Sequence, residues 1–376
     1  MFLAIRELTF ARGRFALMGV VVALIAILTV LLSGLSVGLV NDGVSGLKRL
    51  PVTSLAFQHE VAKDSAFSRS VVDTSAVDTW AAQNGVAEAA PLGNTLANGR
   101  TNQGVEVDLA LFGVEVGSFL DPAVAEGQRL AGEGEVVISS TAAELGISVG
   151  DTIALEPAGT PLKVVGILGE QHTFGHVDIG YLPLRSWQEV KAGVRAGDAA
   201  PERIYNEITA VAVRAADGAD IDLAAGDKAA GTTSLTLEQS FGASPGYTAE
   251  TSTLQLIQVF LYAISALVVG AFFTVLTVQR KQEIAVIRAL GASTRYLLRD
   301  SLLQSVVLLV LSAGVGVAIG VAAGVGISAT PMPFVLEAAP IAVATALLLI
   351  LGVVGATVAV LRITRVDPLT ALGGNR

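Results

Sequence analysis

Four long apolar segments constrain this 376-residue chain more than any other feature of its sequence. Each is almost free of charge, and they are Phe15–Val40, Leu254–Val278, Leu302–Ile327 and Ile341–Leu361. A helix rises about 1.5 Å per residue, so each segment can cross a hydrocarbon layer about 30 Å thick. Because lipid offers the backbone no hydrogen-bond partners, the segments must be helical. The sequence therefore predicts an α-helical membrane protein with four transmembrane helices.

The charge distribution predicts the orientation of these helices. Residues 41–253, which separate the first two spans, carry 13 Lys and Arg against 28 Asp and Glu, a net charge of −15. All 11 other basic residues lie in short segments beside the spans, and such segments remain cytoplasmic. We therefore expect a multi-pass protein of the cell (plasma) membrane, with both termini cytoplasmic and the acidic block extracytoplasmic.

The acidic block has the pattern of a mixed α+β domain. Short strand-like runs such as VEVDLALFGV, DTIALE and LKVVGIL alternate with Gly, Pro and Asp turns. Helix-like pieces lie between them, at 78–84, 141–145, 185–192 and 220–230. The Gly- and Ala-rich tract 192–201 is a candidate junction, so the pattern leaves open whether the block folds as one domain or two.

A charged insert, VQRKQEIAVIRALGASTRYLLRDSL, connects the second and third spans. Ile284, Ile287 and Leu290 recur at helical spacing, which predicts an amphipathic helix. Gly291 can end that helix in a left-handed conformation, and Ser293 can cap the next one. The spacing alone equally allows a basic loop that rests on anionic lipid.

Several motifs resemble one family of transporters. The pattern QRKQEIAVIRALGAS, the external segment GEGEVVISSTAAELGISVGDTIAL, the ending RITRVDPLTALGG and the start AIRELTFARGR resemble FtsX-like, MacB-type permeases of ABC transporters, closest to the DevC/HrtB branch. The resemblance implies the type VII exporter fold, with an extracytoplasmic α+β domain inserted between spans 1 and 2. The segments would be a cytoplasmic amphipathic helix (1–14), span 1 (15–40), the external domain (41–253), span 2 (254–278), a cytoplasmic coupling helix (279–301), span 3 (302–327), an external loop (328–340), span 4 (341–361) and a cytoplasmic tail (362–376).

The same resemblance implies partners and a coupling site. The permease would be a homodimer in the lipid bilayer, paired with two copies of a separate ABC ATPase subunit. The residues expected to couple it to that ATPase are Glu283, Arg288, Gly291 and Ala292, with Arg295 flanking the contact. For Arg295 and Arg299, contact with lipid headgroups is an equally good interpretation.

Motifs for other chemistry are missing. No G-x-x-x-x-G-K-[ST] phosphate loop occurs, so ATP would act only through the partner subunit. The chain has no cysteine, and its small basic clusters lack interleaved aromatic residues. We therefore expect no enzyme activity in this chain, no catalytic residues, no metal site, no permanently bound cofactor and no nucleic-acid partner.

Two histidines lie four residues apart in GEQHTFGHVD, where a helix would place them on one face as metal or haem-iron ligands. Gly169 and Gly175 instead favour a loop, with His172 and His176 simply hydrogen-bonded. His59 stands alone and is expected at the surface.

The resemblance includes exporters of haem, and this cargo, taken from the outer leaflet, is the first hypothesis. Its ligands would lie near the outer membrane boundary, where the candidates are Glu250, Tyr247, Met332 and Glu337. Glu250 is preferred, although a glutamate here also suits the positive end of a helix. The alternatives are another cargo, such as a macrolide, peptide or lipid, and an FtsX-like signal transmitter that activates an extracytoplasmic hydrolase without transport.

Small and polar residues within the spans predict close contacts. Glycines recur at four-residue spacing in Gly34–Gly38 and in Gly316–Gly320–Gly324, a pattern that lets helix backbones approach within one protomer or between two. Gln255 and Gln258 lie three apart near the outer end of span 2 and predict a dimer interface or a substrate cavity there.

Overall fold

The computed structural model describes residues 12–279 and 293–364. The chain divides into two compact units, an external domain of residues 39–250 and a helical membrane unit formed by the remainder. Both boundaries fall inside long helices, because the first helix and the helix after the domain each contribute to both units.

Within the described ranges the α-helices are α1 (Arg12–Lys48), α2 (Ala66–Arg69), α3 (Ser75–Ala81), α4 (Ser140–Glu144), α5 (Leu184–Lys191), α6 (Leu223–Ala230), α7 (Leu237–Ser240), α8 (Tyr247–Gln279), α9 (Thr294–Ser328) and α10 (Ala338–Thr364). Among these, α1, α8, α9 and α10 are long and apolar enough to cross a membrane. Helix α1 continues beyond the span predicted to end at Val40. Hydropathy detects the lipid-facing part of a helix, and the polar turns that follow remain helical outside that part.

The strands are β1 (Ser54–Gln58), β2 (Val72–Asp73), β3 (Val86–Thr101), β4 (Glu106–Val114), β5 (Glu126–Gly127), β6 (Glu135–Ile138), β7 (Thr152–Glu156), β8 (Thr160–Ile167), β9 (Thr173–Phe174), β10 (Val177–Pro183), β11 (Glu207–Ile208), β12 (Ala210–Ala215) and β13 (Thr232–Thr236). Eleven of them form one mixed sheet with the order β13-β1-β12-β3-β4-β10-β6-β8-β5, in which β7 joins β3 and β8, and β9 joins β10. This arrangement confirms the predicted α+β domain between spans 1 and 2.

Strand β3 joins the two halves of that sheet. Its first half pairs with β12, its second half pairs with β4, and its last residues also pair with β7. The predicted junction, residues 192–201, forms a loop between α5 and a short 3₁₀ helix at Glu202–Asn206. Elements on both sides of this loop pack on the same sheet.

A chain of aromatic rings forms the centre of the external domain. Phe57, Phe67, Phe174, Phe112 and Tyr181 contact one another edge to face, with ring centroids 4.8 to 5.7 Å apart. All five are almost completely buried. Each such contact adds about 1 kcal/mol beyond the burial of its surface. The last turns of α1 belong to the same hydrophobic cluster, so this helix end is anchored in the core of the domain.

Glycines set the packing of the membrane unit. A side chain on Gly316 would clash with the backbone of Ala23, and one on Gly320 would lie 2.9 Å from Cβ of Val30. Helices α1 and α9 therefore approach each other as closely as the glycine row predicts. Helices α8 and α10 do the same at Gly355, where a Cβ would lie 2.5 Å from the carbonyl oxygen of Ala266.

The other glycine row is occupied by the external loop. Phe334 packs against Gly34, and the Val335 N–H donates to the Gly34 carbonyl over 3.1 Å. A side chain on Gly38 would clash with the carbonyl of Pro333. Of the two partners that the pattern allowed, another part of the same protomer therefore fills this row.

Candidate functional site

The coupling residues lie at the edge of what the structure describes. Glu283, Arg288, Gly291 and Ala292 lie outside the described residues. Arg295 belongs to the first turn of α9, whose backbone runs without interruption into span 3. The helix on the span-3 side of the insert is therefore continuous with the membrane helix.

Glu250, the preferred substrate ligand, lies in the first turn of α8 and faces a histidine. Both of its carboxylate oxygens are 3.0 Å from His176 Nε2. On the other side of the ring, His176 Nδ1 is 2.8 Å from Asp42 Oδ2 of α1. Each contact requires a hydrogen on its ring nitrogen, so the geometry selects the protonated imidazole.

The electrostatics of this cluster agree with its geometry. Burial alone would lower the pKa of His176. The hydrogen bond with Asp42 and the negative charges of Glu250 and Asp42 outweigh burial, and the pKa lies above its usual value. Because the ring lies between the two carboxylates, they cannot converge on one metal ion, and the cluster is an ion-pair bridge.

A tight hairpin puts His176 in this place. Gly175 and His176 form the two-residue connection between β9 and β10, with φ angles of 59° and 64°. Two positive φ values are typical of the hairpin turn that matches the natural twist of strands. The sequence signals this hairpin by a two-residue, Gly-containing gap between apolar runs, but no local pattern indicates that Asp42 and His176 pair with Glu250.

The second histidine is held inside the domain. His172 Nδ1 is 3.2 Å from the hydroxyl of Tyr181, and burial lowers the pKa of His172 to about 4. Since residues 173–174 form a strand, the two rings do not share a helical face. The structure agrees with the hydrogen-bonded alternative for this pair, and His59 is exposed as expected.

Tyr247 belongs to the same turn of α8 as Glu250. Its half-buried ring packs edge to face on Phe241, with centroids 6.2 Å apart, and contacts the hydrophobic core of the domain. The phenol therefore contributes to holding the start of α8 on the domain.

Met332 and Glu337 lie in the membrane unit, in two different grooves. Met332 lines a groove of about 350 Å³ whose walls are apolar side chains of α1, α8, α9 and the external loop: Leu28, Leu31, Leu32, Leu35, Ile257, Leu261, Ile327 and Phe334. Glu337 is exposed at the start of α10, on the rim of a separate groove of about 620 Å³ between α9 and α10. The structure thus does not bring these two candidates into one site.

The Met332 groove has the chemistry of a site for hydrophobic molecules. Among the described residues that line it, none carries a charge. Met332 itself is 53% exposed, so its flexible thioether is accessible from the groove.

Comparisons with known proteins cover the whole architecture. The family profile of the MacB-like periplasmic core domain matches residues 15–227, and that of the FtsX-like permease C-terminal region matches residues 256–368. Permease proteins named HrtB, for a hemin transport system, are 24% identical in Staphylococcus haemolyticus, over 99% of both chains, and in Staphylococcus epidermidis, over 100% of this chain and 99% of the relative. An uncharacterized ABC transporter permease of Mycobacterium tuberculosis is 25% identical over 100% of this chain and 99% of its own length.

Solved structures of external domains also match. The extracellular domain of the noncanonic ABC-type transporter YknZ from Gram-positive bacteria matches with 16% identity and a TM-score of 0.35, over 49% of this chain and 98% of that domain. The periplasmic region of MacB from Actinobacillus actinomycetemcomitans matches with 13% identity and a TM-score of 0.36, over 50% and 90%.

The two family profiles match the two halves of the chain in the order in which the structure has them. One covers the first span and most of the external domain, which is more than half of the chain, and the other covers the three remaining spans. The chain therefore belongs to the FtsX-like, MacB-type permeases of ABC transporters.

Proposed function

We propose that this permease works as a homodimer with two copies of a separate ABC ATPase and exports haem taken from the outer leaflet of the cell membrane. The observation that best supports this proposal is the similarity of the chain to permeases named for hemin transport. The similarity extends over almost the full length of both chains. ATP hydrolysis is assigned to the partner subunit, and the permease converts it into movement of its spans.

The orientation proposed here follows from charge. Basic residues dominate the short segments at the ends of the spans, and the large domain is strongly acidic. Such an asymmetry supports an orientation with both termini in the cytoplasm and the domain outside. The ATPase would then dock at the cytoplasmic insert.

Two separate features support an amphipathic cargo. The membrane unit has the uncharged groove beside Met332, which suits the apolar faces of a macrocycle. The external domain presents the carboxylate of Glu250 at the start of α8, and oxygen ligands bind ferric haem iron. In this proposal one carboxylate oxygen of Glu250 binds the cargo while the other keeps its contact with His176.

Replacing Glu250 with alanine is the test of the haem assignment. We expect wild-type complex to shift the Soret band of added haemin and to hydrolyse ATP faster in its presence. In Glu250→Ala the affinity for haemin should fall at least about tenfold, because losing even a hydrogen-bond partner of a metal ligand lowers affinity by about that factor. Glu238→Ala, which removes an exposed glutamate elsewhere in the domain, serves as the matched control. Haemin that changes neither signal in wild type would exclude haem as the cargo.

An exposed glutamine supports the homodimer. Gln255 is exposed on α8 among apolar residues, which include Leu256, Val259 and Phe260. An amide left in lipid without a partner is unfavourable, and a second copy of α8 would supply one. A residue close to a two-fold axis meets its own copy.

The absence of cysteine makes this contact easy to measure. We expect Gln255→Cys to form a disulfide-linked dimer when membranes are oxidised. Val354→Cys, at a position on α10 that is 51% exposed, should remain monomeric under the same conditions. Dimers formed by Val354→Cys but not by Gln255→Cys would place the interface on another helix.

A further inference from the structure

A short segment of the external domain contacts the outer end of α1 through several hydrogen bonds. This segment, residues 170–176, forms a clamp on the helix end. Its Gln171 side chain donates to Asp42 Oδ1 over 3.0 Å, and the hydroxyls of Thr173 and Ser45 are 2.7 Å apart. The clamp therefore follows α1 for about one turn, through contacts on successive residues of the helix.

The clamp also satisfies a backbone carbonyl that a kink in α1 leaves without a partner in the helix. Val44 has φ −145° and ψ 15°, so the regular hydrogen-bond ladder of the helix is interrupted there. The carbonyl of Gly43 accepts instead from the Gly175 N–H over 2.8 Å and from the Ser244 hydroxyl over 2.9 Å. The kink is stabilised from outside the helix, by the clamp and by the segment that leads into α8.

Tight packing around the kink in α1 prevents the helix from bending there. Val44 and Leu47 are completely buried in the core of the domain. Gly46 faces Ile179 so closely that a side chain at position 46 would clash with it. Because protein interiors are close-packed, a change of angle here would open cavities and break several hydrogen bonds at once.

His176 connects the clamp to α8 as well as to α1. Its ring lies between Asp42 on α1 and Glu250 on α8, at 2.8 and 3.0 Å. Without a positive ring between them, the two carboxylates would repel each other. A single side chain of the clamp thus joins the outer ends of two membrane helices.

We propose that the clamp keeps the outer ends of α1 and α8 at a fixed separation throughout the transport cycle, with His176 as the positioning residue that joins them. This inference rests on the ATP-driven transport proposed above. Movement of the two spans then reaches the external domain as the displacement of one rigid body, and bending occurs at other points of the chain.

A reversible lock tests whether the clamp opens. The hydroxyls of Ser45 and Thr173 are close enough for a disulfide to replace them, and the chain has no other cysteine. In Ser45→Cys/Thr173→Cys, haemin-stimulated ATP hydrolysis should be the same within about twofold before and after oxidation, since a closed clamp loses nothing when locked. Activity that disappears on oxidation and returns on reduction would show that the clamp must open, and would overturn the proposal.

A double-mutant comparison tests the role of His176. Asparagine tolerates the positive φ of this position but is too short to join both carboxylates. We expect His176→Asn to lower haemin-stimulated hydrolysis about fivefold while basal hydrolysis persists, the scale of a lost half-exposed charge pair. Adding Asp42→Asn should recover part of the loss, because one of the two repelling charges is gone. Wild-type behaviour of His176→Asn would exclude a positioning role.

Hydrogen exchange separates this inference from the choice of cargo. In the full-length complex the amides of Thr173 and Gly175 should exchange slowly both without nucleotide and with ATP bound. Fast exchange in either state would overturn the rigid clamp even if haemin is transported. Slow exchange in both, together with no response to haemin, would leave the clamp intact and reject only the haem assignment.

Discussion

Replacing Gly291 with proline is expected to lower haemin-stimulated ATP hydrolysis by roughly a hundredfold while leaving the permease in the membrane. The sequence predicts that Gly291 ends the first helix of the coupling insert in a left-handed conformation. Proline fixes φ near −65° and disfavours a helical residue before it, which costs about 3 kcal/mol in a helical hairpin. That energy corresponds to about a hundredfold fewer correctly folded inserts for the ATPase to bind.

Asparagine at the same position is the matched control. Asn accepts the left-handed conformation, so Gly291→Asn should retain most of the activity. Insertion is measured in parallel from the amount of each variant in the membrane fraction. Equal activity of the proline and asparagine variants would show that the insert is a loop resting on lipid.

Glu283→Ala addresses the same interface without changing the backbone. If Glu283 contacts the ATPase as the family resemblance implies, its loss should uncouple hydrolysis from haemin, with basal hydrolysis still present. Glu283→Gln, which keeps the shape and removes the charge, shows whether the charge itself is required.

The sequence predicted those parts of the fold that local patterns determine. Four apolar segments became four membrane-length helices, because lipid burial requires a long uncharged run. The run DTIALE became β7, since its alternation fits a half-buried strand, and VEVDLALFGV became β4, whose continuous apolar second half is buried on both faces. These features depend on neighbours in the chain, so they can be seen without a structure.

The candidate site was harder to predict because its contacts join distant parts of the chain. Ser45 and Thr173 are separated by 128 positions, and His176 and Glu250 by 74. No periodicity encodes such pairs. The position of Glu250 near the membrane boundary makes it a candidate from the sequence alone, but its bridge to Asp42 also depends on the hairpin that positions His176.

A shared position near the predicted membrane boundary was also not enough to show which candidate residues form one site. Met332 and Glu337 are five residues apart, yet a loop and a helix start separate them into two grooves. The glycine row at Gly34 and Gly38 was similarly recognisable as a packing surface, whereas its occupant could be read only from the path of the external loop.

Gly316→Leu is expected to destabilise the membrane unit by about 3 kcal/mol, the upper range for inserting a side chain into a packed interface. At this position a Cβ would clash with the carbonyl of Ala23, and a helix backbone cannot move aside as a flexible side chain can. Gly314→Leu on the same helix is the matched control, because a Cβ at position 314 meets nothing within 4 Å. Both variants replace glycine with leucine inside the same helix, so the difference in helix propensity between the two residues cancels in the comparison. Thermal unfolding of the two purified proteins should therefore separate them clearly. Equal stabilities would mean that α1 and α9 are not in backbone contact at Gly316, and that the row of glycines in span 3 faces lipid or a second protomer.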